Sequence, residues 1–350
     1  MQQTLVVGVD IAKKDFAVAY RVGAVTVDLG KFDNNAEGYA ALQSRLAQAC
    51  TEHGVSQIQV VLEATGGYEA ALLAYAYAQG WGVSMPRPKG TRKKVRDWAK
   101  GAQGAPRYRV KTAPSGPPVD ARILAHYGVE RQPPLRPQLA VEVTQLDSLL
   151  KRRLDLEQTL HQEQTRLSEM AGRPGLAPQV EESLRQVIEA LTQALAGIEQ
   201  AIEDLTAKHE PLQRQMVRLL ALPGVGPKVV LPLLVKLFQW HNLTSGEGDA
   251  AGLVAYIGLD PQPYESGRSV RKHAGISKMG DSEVRRLLYM GALGGVRGKN
   301  PLKPFYQRLV GRGKAKKVAL VAAARKILVW AWTLFSRQLD WNPDFHQIGA

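Results

Sequence analysis

A serine surrounded by cationic side chains lies in the final third of the chain. Ser266 stands beside Glu265 and Gly267 in the stretch PYESGRSVRKHAGISKMG, which also holds four basic residues: Arg268, Arg271, Lys272 and Lys278. Most charge runs are solvated loops. A hydroxyl among cations is also what an attack on a phosphodiester requires, because the cations balance the charge of the phosphate in the transition state.

Three carboxylates in the first third of the chain are spaced for a metal site. Asp10 ends the apolar run LVVGVD, Glu63 ends the run QIQVVLE, and Asp120 begins a predicted helix. Neighbouring strands would bring the first two to one sheet edge, and the helix would carry Asp120 across it. Grouped carboxylates repel one another unless a divalent cation such as Mg²⁺ or Mn²⁺ neutralises them. Each residue also has a structural interpretation: a turn former, a surface acid and a helix N-cap.

The order of the predicted elements favours a ribonuclease H-like α/β domain over residues 1–130. Apolar patterning predicts strands at 5–10, 16–20, 25–32 and 57–63, helices at 36–49 and 68–79, a strand beginning at 82–85, and a helix from 119 through 125. The first three strands are too close for crossover helices, so they are predicted to form antiparallel hairpins.

A strongly basic segment follows this pattern. Residues 87–111 hold ten Lys or Arg and one acid, Asp97, with Trp98 and Tyr108 among them. Such a segment suits the backbone of either DNA or RNA. We expect nucleic-acid contacts from five of its residues: Arg92, Lys93, Lys94, Arg96 and Lys111.

Coiled-coil helices are predicted over residues 138–210, broken by GRPGLAP, before an all-α domain over 211–345. In the second long helix, apolar residues alternate four and three apart through three heptads: Leu184, Ile188, Leu191, Leu195, Ile198, Ile202 and Leu205. This spacing is typical of a coiled-coil seam, and equally of a helix facing the core of a bundle.

Two further segments of the C-terminal part are candidates for nucleic-acid binding. LPGVGPK, residues 222–228, has the form of a helix-hairpin-helix, in which Gly224, Gly226 and Lys228 would present a helix N-terminus to a phosphate. A tight turn explains the same residues. The densest group of basic residues, GRGKAKK, supplies three more candidates: Lys314, Lys316 and Lys317.

Composition indicates a globular protein that is attracted to polyanions. The 350 residues carry a formal charge of +14 and are 45% apolar. With no run of 18 apolar residues and no signal-peptide pattern, neither a membrane partner nor export is expected. The lone Cys50 excludes an intramolecular disulfide and fits a reducing cytoplasm, where a DNA-binding protein would associate with the nucleoid.

Five motifs together resemble the DEDD-type transposases of the Piv-invertase-like insertion-sequence family. They cover nearly the whole chain: GVDIAKKDF, LEATGGYE, KT followed by VDARILA, LPGVGPK and YESGRSVRKHAGISKMGDSEVRRLLYM. The resemblance implies a RuvC-like domain with four acidic Mg²⁺ ligands, a coiled coil and a C-terminal domain with a nucleophilic serine. It also implies strand exchange between donor and target DNA, in many members guided by a structured noncoding RNA.

The resemblance assigns roles to individual residues and exposes one departure. Asp10, Glu63 and Asp120 correspond to three of the four acids, and Ser266 to the nucleophile that forms a 5′-phosphoserine linkage. The remaining acid, which the family places directly after Lys-Thr, is replaced by Ala113. This change predicts weaker metal binding and slower cleavage, with nucleic-acid binding retained.

Three functions remain open at this point. The first is a serine recombinase that acts as a dimer or tetramer with sites shared between subunits. The second is a metal-dependent nuclease or Holliday-junction resolvase that uses water as the nucleophile. The third is a cleavage-deficient nucleic-acid-binding derivative, which Ala113 keeps in view.

Overall fold

The protein forms two compact units, Met1–Gln138 and Leu139–Ala350. The structure, a computed structural model, describes residues 4–63, 67–85, 119–262, 264–266, 270–272 and 275–343.

The first unit is built on a five-stranded mixed sheet. Its strands are β1 (Thr4–Ile11), β2 (Asp15–Val22), β3 (Val25–Asp33), β4 (Gln57–Leu62) and β5 (Gly82–Ser84), in the spatial order β3-β2-β1-β4-β5. The first three strands are antiparallel neighbours, as predicted, while β4 pairs in parallel with both β1 and β5. This order is compatible with the start of a RuvC-like domain.

Helices pack on both faces of this sheet. Side chains of β1 alternate between the faces, and Val7 and Val9 join a core with α1 (Ala36–His53) and α2 (Ala70–Ala78). Val6 faces the opposite side, where it contacts α3 (Val119–Arg131).

Helix α3 is longer than the sequence predicted. It was expected to run through residue 125, but it continues to Arg131. Gly128 stays helical because it packs against the sheet, where a Cβ would lie 2.4 Å from Cγ1 of Val6. The chain leaves the helix just before Pro133 and Pro134, which cannot continue it.

The second unit is mostly helical. Its helices are α4 (Val141–Met170), α5 (Pro178–Lys208), α6 (Glu210–Leu220), α7 (Pro227–Leu243), α8 (Ala250–Ile257), α9 (Ser282–Gly295), α10 (Leu302–Gly311) and α11 (Lys316–Arg337). The two long helices predicted from the sequence are confirmed as α4 and α5. Along the predicted seam of α5, Ile202 is buried in the core of the unit and the other apolar positions are half-buried.

The prediction of an all-α C-terminal domain needs one correction. Two short antiparallel strands, β6 (Tyr264–Ser266) and β7 (Val270–Lys272), interrupt the helices. The segment lacks the apolar period of a helix, and pairing the strands satisfies backbone groups that would otherwise be unbonded.

Helix α11 has the composition of a membrane span. Among the described residues it is the one helix long and apolar enough to cross a bilayer, and 61% of its most apolar window is buried. Arg325 and Lys326 lie within this helix, so the sequence still contains no uninterrupted run of 18 apolar residues. Trp330 and Leu334 belong to the core of the unit, so packing accounts for this composition.

Candidate active site

Strands β1 and β4 bring Asp10 and Glu63 side by side. The parallel register pairs Gly8 with Val61 and Val9 with Leu62. The next residue after β1's Val9 is Asp10 and the next after β4's Leu62 is Glu63, so these two residues are neighbours. Because side chains alternate along a strand, both carboxylates belong to the face that carries Gly8 and Val61. Both are half-buried. The predicted adjacency of these two acids is a direct result of the strand register.

Helix α3 brings Asp120 towards the same edge. The helix passes so close to β1 that a Cβ on Gly8 would lie 2.0 Å from the carbonyl oxygen of Ala121. Further along the helix, Gly128 lies over Val6, so α3 runs opposite in direction to β1. Its first turn, which carries the half-buried Asp120, therefore lies towards the strand end that carries Asp10.

An ion pair connects the first turn of α3 to β3, the outermost strand of the sheet. Arg122 donates from Nε to Oδ1 of Asp28 at 2.5 Å, and its Nη2 contacts Oδ2 of the same carboxylate. Asp28 pairs with Ala19 on the neighbouring strand, and Ala19 pairs with Gly8. These small residues leave room for Arg122 to reach β3. Sequence reasoning missed this pair because 94 residues separate its members.

The three carboxylates offer the type of ligand that hard divalent cations prefer. Mg²⁺ and Mn²⁺ are bound mainly by carboxylate oxygens and water. Among the residues that the structure describes, however, no group of three or more His, Cys, Asp or Glu side chains is arranged to hold a metal ion. Ala113 and Asp97 lie outside the described residues.

Ser266 lies in the ribbon formed by β6 and β7 in the second unit. The segments that lead into β6 and out of β7 are also paired: Ser277 N–H donates to the Asp260 carbonyl at 2.9 Å, and Gln262 N–H donates to the Gly275 carbonyl at 3.0 Å. The register then pairs Tyr264 with Lys272, Glu265 with Arg271, and Ser266 with Val270. Ser266 is therefore the last paired residue of β6, opposite the strand that carries Arg271 and Lys272.

The two glycines of LPGVGPK have different environments. Gly224 has φ 86°, and a Cβ there would lie 2.6 Å from the carbonyl oxygen of Gly291 on α9. Gly226 is the N-cap of α7 and makes no side-chain cap bond, and a Cβ there would meet no atom within 4 Å. Gly224 is thus needed for packing, whereas the backbone at Gly226 is open. Lys228, in the first turn of α7, is exposed.

The LPGVGPK segment borders a cleft of about 810 Å³ between α4, α7 and α9. Beside it, the Lys236 ammonium lies 3.1 Å from the Asp281 carboxylate, which also accepts hydrogen bonds from the N–H groups of Glu283 and Val284. Burial raises the pKa of Asp281, but these hydrogen bonds and Lys236 outweigh it, so the net pKa is lowered. The start of α9 is thereby held against α7.

The other predicted nucleic-acid contacts are distributed over the chain. Lys314, Lys316 and Lys317 are exposed around the turn between α10 and α11, and Lys278 is exposed with φ 53°. Arg271 and Lys272 lie in strand β7, of which the structure describes the backbone. The remaining six lie outside the described residues: Arg92, Lys93, Lys94, Arg96, Lys111 and Arg268.

Two family models match the segments of the chain that carry the three acids and Ser266. A DEDD-type IS110 model described as "Transposase" matches residues 7–171, which include the three acids. A second model, "Transposase IS116/IS110/IS902 family", matches residues 216–307, which include Ser266 and the LPGVGPK segment. The chain belongs to the IS110 family of transposases.

Individual relatives of this IS110-family transposase agree with the assignment. It is 27% identical over 342 residues to the pilin gene-inverting proteins of Moraxella bovis and Moraxella lacunata, covering 97% of this chain and 98% of each relative. It is 30% identical over 145 residues to an uncharacterised 43.6 kDa protein of insertion element IS110 from Streptomyces coelicolor, covering 41% of this chain and 33% of that protein.

The transposase is therefore an enzyme that recombines DNA. Transposases of the DEDD type generally depend on a divalent metal ion. Lys314, Lys316 and Lys317 lie beyond both matched segments, in the C-terminal part of the chain.

Proposed function

We propose that this transposase exchanges DNA strands through a covalent serine–phosphate intermediate, assisted by Mg²⁺ bound to the acids of a RuvC-like first unit. The observation that supports the proposal is the register of β1 and β4, which sets Asp10 beside Glu63, together with the direction of α3, whose first turn carries Asp120 towards the same strand end. Acids that lie towards one strand end suit phosphoryl transfer in a DNA recombinase, if a bound divalent cation draws them together.

In the proposed reaction, Ser266 Oγ gives up its proton and attacks the phosphorus of a phosphodiester. The bond from phosphorus to the 3′ oxygen breaks, that oxygen takes up a proton, and a 5′-phosphoserine bond forms. A 3′ hydroxyl of the exchanging strand then attacks the phosphoserine and returns the proton to Ser266. The energy of the original bond is retained in the covalent intermediate, so rejoining needs no cofactor energy.

Each group contributes a distinct part of this chemistry. A bound divalent cation would lower the charge on the phosphate and favour the deprotonated nucleophile. Asp10, Glu63 and Asp120 would hold that ion. Arg268, Arg271 and Lys272 would stabilise the charge that develops on the phosphate oxygens. The reaction requires the acids and the serine to act on one phosphodiester, within a chain or between chains.

Further parts of the proposal concern partners and assembly. LPGVGPK would act as a helix-hairpin-helix in which the open backbone at Gly226 and the exposed Lys228 approach a DNA phosphate. The half-buried seam of α5 would form a coiled coil that joins copies into a dimer or tetramer. A structured noncoding RNA would guide the choice of target, in the cytoplasm at the nucleoid.

The test uses a labelled DNA substrate and denaturing gels. We expect a covalent protein–DNA adduct with the unaltered chain and with the control Ser269→Ala, and none with Ser266→Ala. Asp10→Asn should reduce the adduct at least about 100-fold, as expected for the loss of a group needed in phosphoryl transfer. If Ser266→Ala cuts DNA at an unchanged rate and leaves protein-free ends, water is the nucleophile and the serine mechanism is wrong.

A further inference from the structure

The C-terminal part of the second unit is rich in positively charged residues. Residues 284–339 hold thirteen Lys or Arg and no Asp or Glu. Five of the basic residues lie exposed where α10 meets α11, a surface that we call the α10–α11 elbow: Arg308, Arg312, Lys314, Lys316 and Lys317. Such a density of one sign of charge attracts polyanions.

The elbow differs from other basic surfaces of the same unit. Within the described part of the chain, its five basic residues form no ion pair with a carboxylate. On α4 and α5, by contrast, three exposed basic residues are paired with acids on the same helix: Lys151 with Asp147, Arg166 with Glu163, and Arg185 with Glu181. The charge of the elbow is therefore available to an external partner.

The start of α11 concentrates this charge further. Lys316 and Lys317 occupy its first turn, which contains no acidic residue, and the N-cap Ala315 makes no side-chain cap bond. Cations at the positive end of a helix dipole are unfavourable, and an anion bound there would reverse the effect.

One further cation, Lys326, lies beside the elbow, and both Lys326 and the elbow residue Arg308 lie against aromatic rings. Lys326 Nζ is 4.9 Å from the centre of the Phe305 ring and 5.1 Å from that of Trp330, and Arg308 Cζ is 5.6 Å from the centre of the Phe305 ring. Burial lowers the pKa of Lys326, and the charge of Arg308 lowers it further. Phe305 is half-buried and Trp330 is buried, so neither ring is exposed for stacking with a base.

We propose that the α10–α11 elbow binds the phosphate backbone of duplex DNA without reading its sequence. Proteins that hold single strands combine cations with exposed aromatic platforms, and the elbow presents cations alone. Contacts from Lys and Arg to phosphates position a protein on a duplex and are independent of sequence. The proposal rests on the proposed function only in that the duplex is the DNA on which Ser266 acts.

Removing three elbow charges tests the proposal. The variant Lys314→Ala/Lys316→Ala/Lys317→Ala is compared with the unaltered chain by fluorescence anisotropy on duplexes of several sequences, between about 50 and 200 mM salt. We expect the slope of log K against log salt to fall by about 0.9 for each lost phosphate contact, or about 2.7 for three, with equal losses on every sequence. The melting temperature should stay unchanged or rise, because two cations leave the positive end of α11.

A control variant with the same change in net charge is Lys151→Ala/Arg166→Ala/Arg185→Ala on α4 and α5. It should keep the slope and affinity of the unaltered chain. Equal losses in both triple variants would mean that net charge alone matters, and an unchanged slope in the elbow variant would mean that the elbow makes no contact; either result overturns the proposal. An equal or larger loss on single-stranded RNA would assign the elbow to RNA instead of duplex DNA.

The proposed serine chemistry is tested independently of the elbow. Ser266→Ala should lose the covalent adduct and keep the salt slope of the unaltered chain. The elbow variant should still form the adduct at low salt. Failure of the serine mechanism and failure of the elbow proposal therefore give different results.

Discussion

At the scale of single residues, we expect the side chain at position 113 to set the affinity of the proposed site for its metal ion. The chain carries Ala113 after Lys111 and Thr112, where the motif calls for an aspartate, and each lost carboxylate removes charge that a divalent cation needs. We expect Ala113→Asp to lower the half-saturating Mg²⁺ or Mn²⁺ concentration by at least about 10-fold, since even indirect partners of metal ligands contribute about 10- to 100-fold. Calorimetric titration of the protein with metal measures this, and strand exchange should rise in parallel.

A control is needed because any added acid increases attraction to cations. Ser115→Asp adds the same charge two residues away and should leave the half-saturating concentration nearly unchanged. If both variants bind metal equally well, position 113 is not a ligand position. If Ala113→Asp binds metal more tightly but exchanges no strands, the missing acid is not the cause, and the chain is a DNA-binding derivative that lacks another part of the reaction.

At this scale, sequence shows which residues can do chemistry but not what holds them. Asp10 and Glu63 could be placed together because both end apolar runs, and the register of β1 and β4 agrees. The pair between Arg122 and Asp28 could not, since no local pattern links residues 94 positions apart. Gly8 likewise looked like an ordinary strand residue, although a side chain there would displace α3.

Among the elements, the connection between α6 and α7 offers a matched pair of glycines. Gly224→Ala would place Cβ 2.6 Å from the Gly291 carbonyl oxygen at a φ of 86°. We expect a loss of roughly 2–4 kcal/mol in the free energy of unfolding, from overpacking and from the left-handed backbone. Denaturant unfolding of the variant measures this loss.

Gly226→Ala separates the fold of this connection from its contact with DNA. At φ −107° and with no atom near the new Cβ, alanine should leave stability within about 0.5 kcal/mol or raise it slightly. A proposed close approach of this backbone to phosphate predicts weaker DNA binding in the same variant. Unchanged affinity would mean that the segment is a tight turn without a role in binding.

Elements with a clear period were predictable, and those that depend on distant partners were not. Short apolar runs bounded by turn residues predicted the strands of the first unit, and the long apolar stripe predicted α5. The extension of α3 to Arg131 depends on Gly128 meeting Val6 across the sheet. The β6–β7 ribbon depends on pairing between two three-residue segments, which are too short to show a period.

At the scale of the whole molecule, the stability of each of the two units depends on pH through a different titratable group, and in a different pH range. In the first unit, burial lowers the pKa of His126 below its usual 6.5, with a further lowering by Arg21 that the Glu130 carboxylate partly offsets. In the second unit, the pKa of Asp281 is held below its usual 3.8 despite burial, through its hydrogen bonds and Lys236. Each unit has its own hydrophobic core, so each can be followed separately.

Both groups make their unit less stable as the pH falls, but they do so in different pH ranges. The unfolded chain takes up a proton on His126 as pH falls through about 6.5, whereas the folded chain does so only at lower pH, so the first unit loses stability below that value. Asp281 stabilises the second unit above its unfolded pKa, and this contribution is lost as pH falls through the lower folded value. Hydrogen exchange should therefore show reduced protection in the first unit between about pH 7 and pH 5, with the second unit unchanged until pH approaches about 4.

His126→Gln provides the comparison that decides the cause. The amide is uncharged throughout this range, so the pH dependence of exchange in the first unit should flatten while that of the second unit stays as before. Asp281→Asn should reduce protection near the start of α9 at neutral pH, because the negative charge at the helix N-terminus and its ion pair with Lys236 are lost, although the amide oxygen can still cap the helix. A first unit that weakens below pH 6.5 just as strongly in His126→Gln would place the responsible group elsewhere among its other titratable side chains.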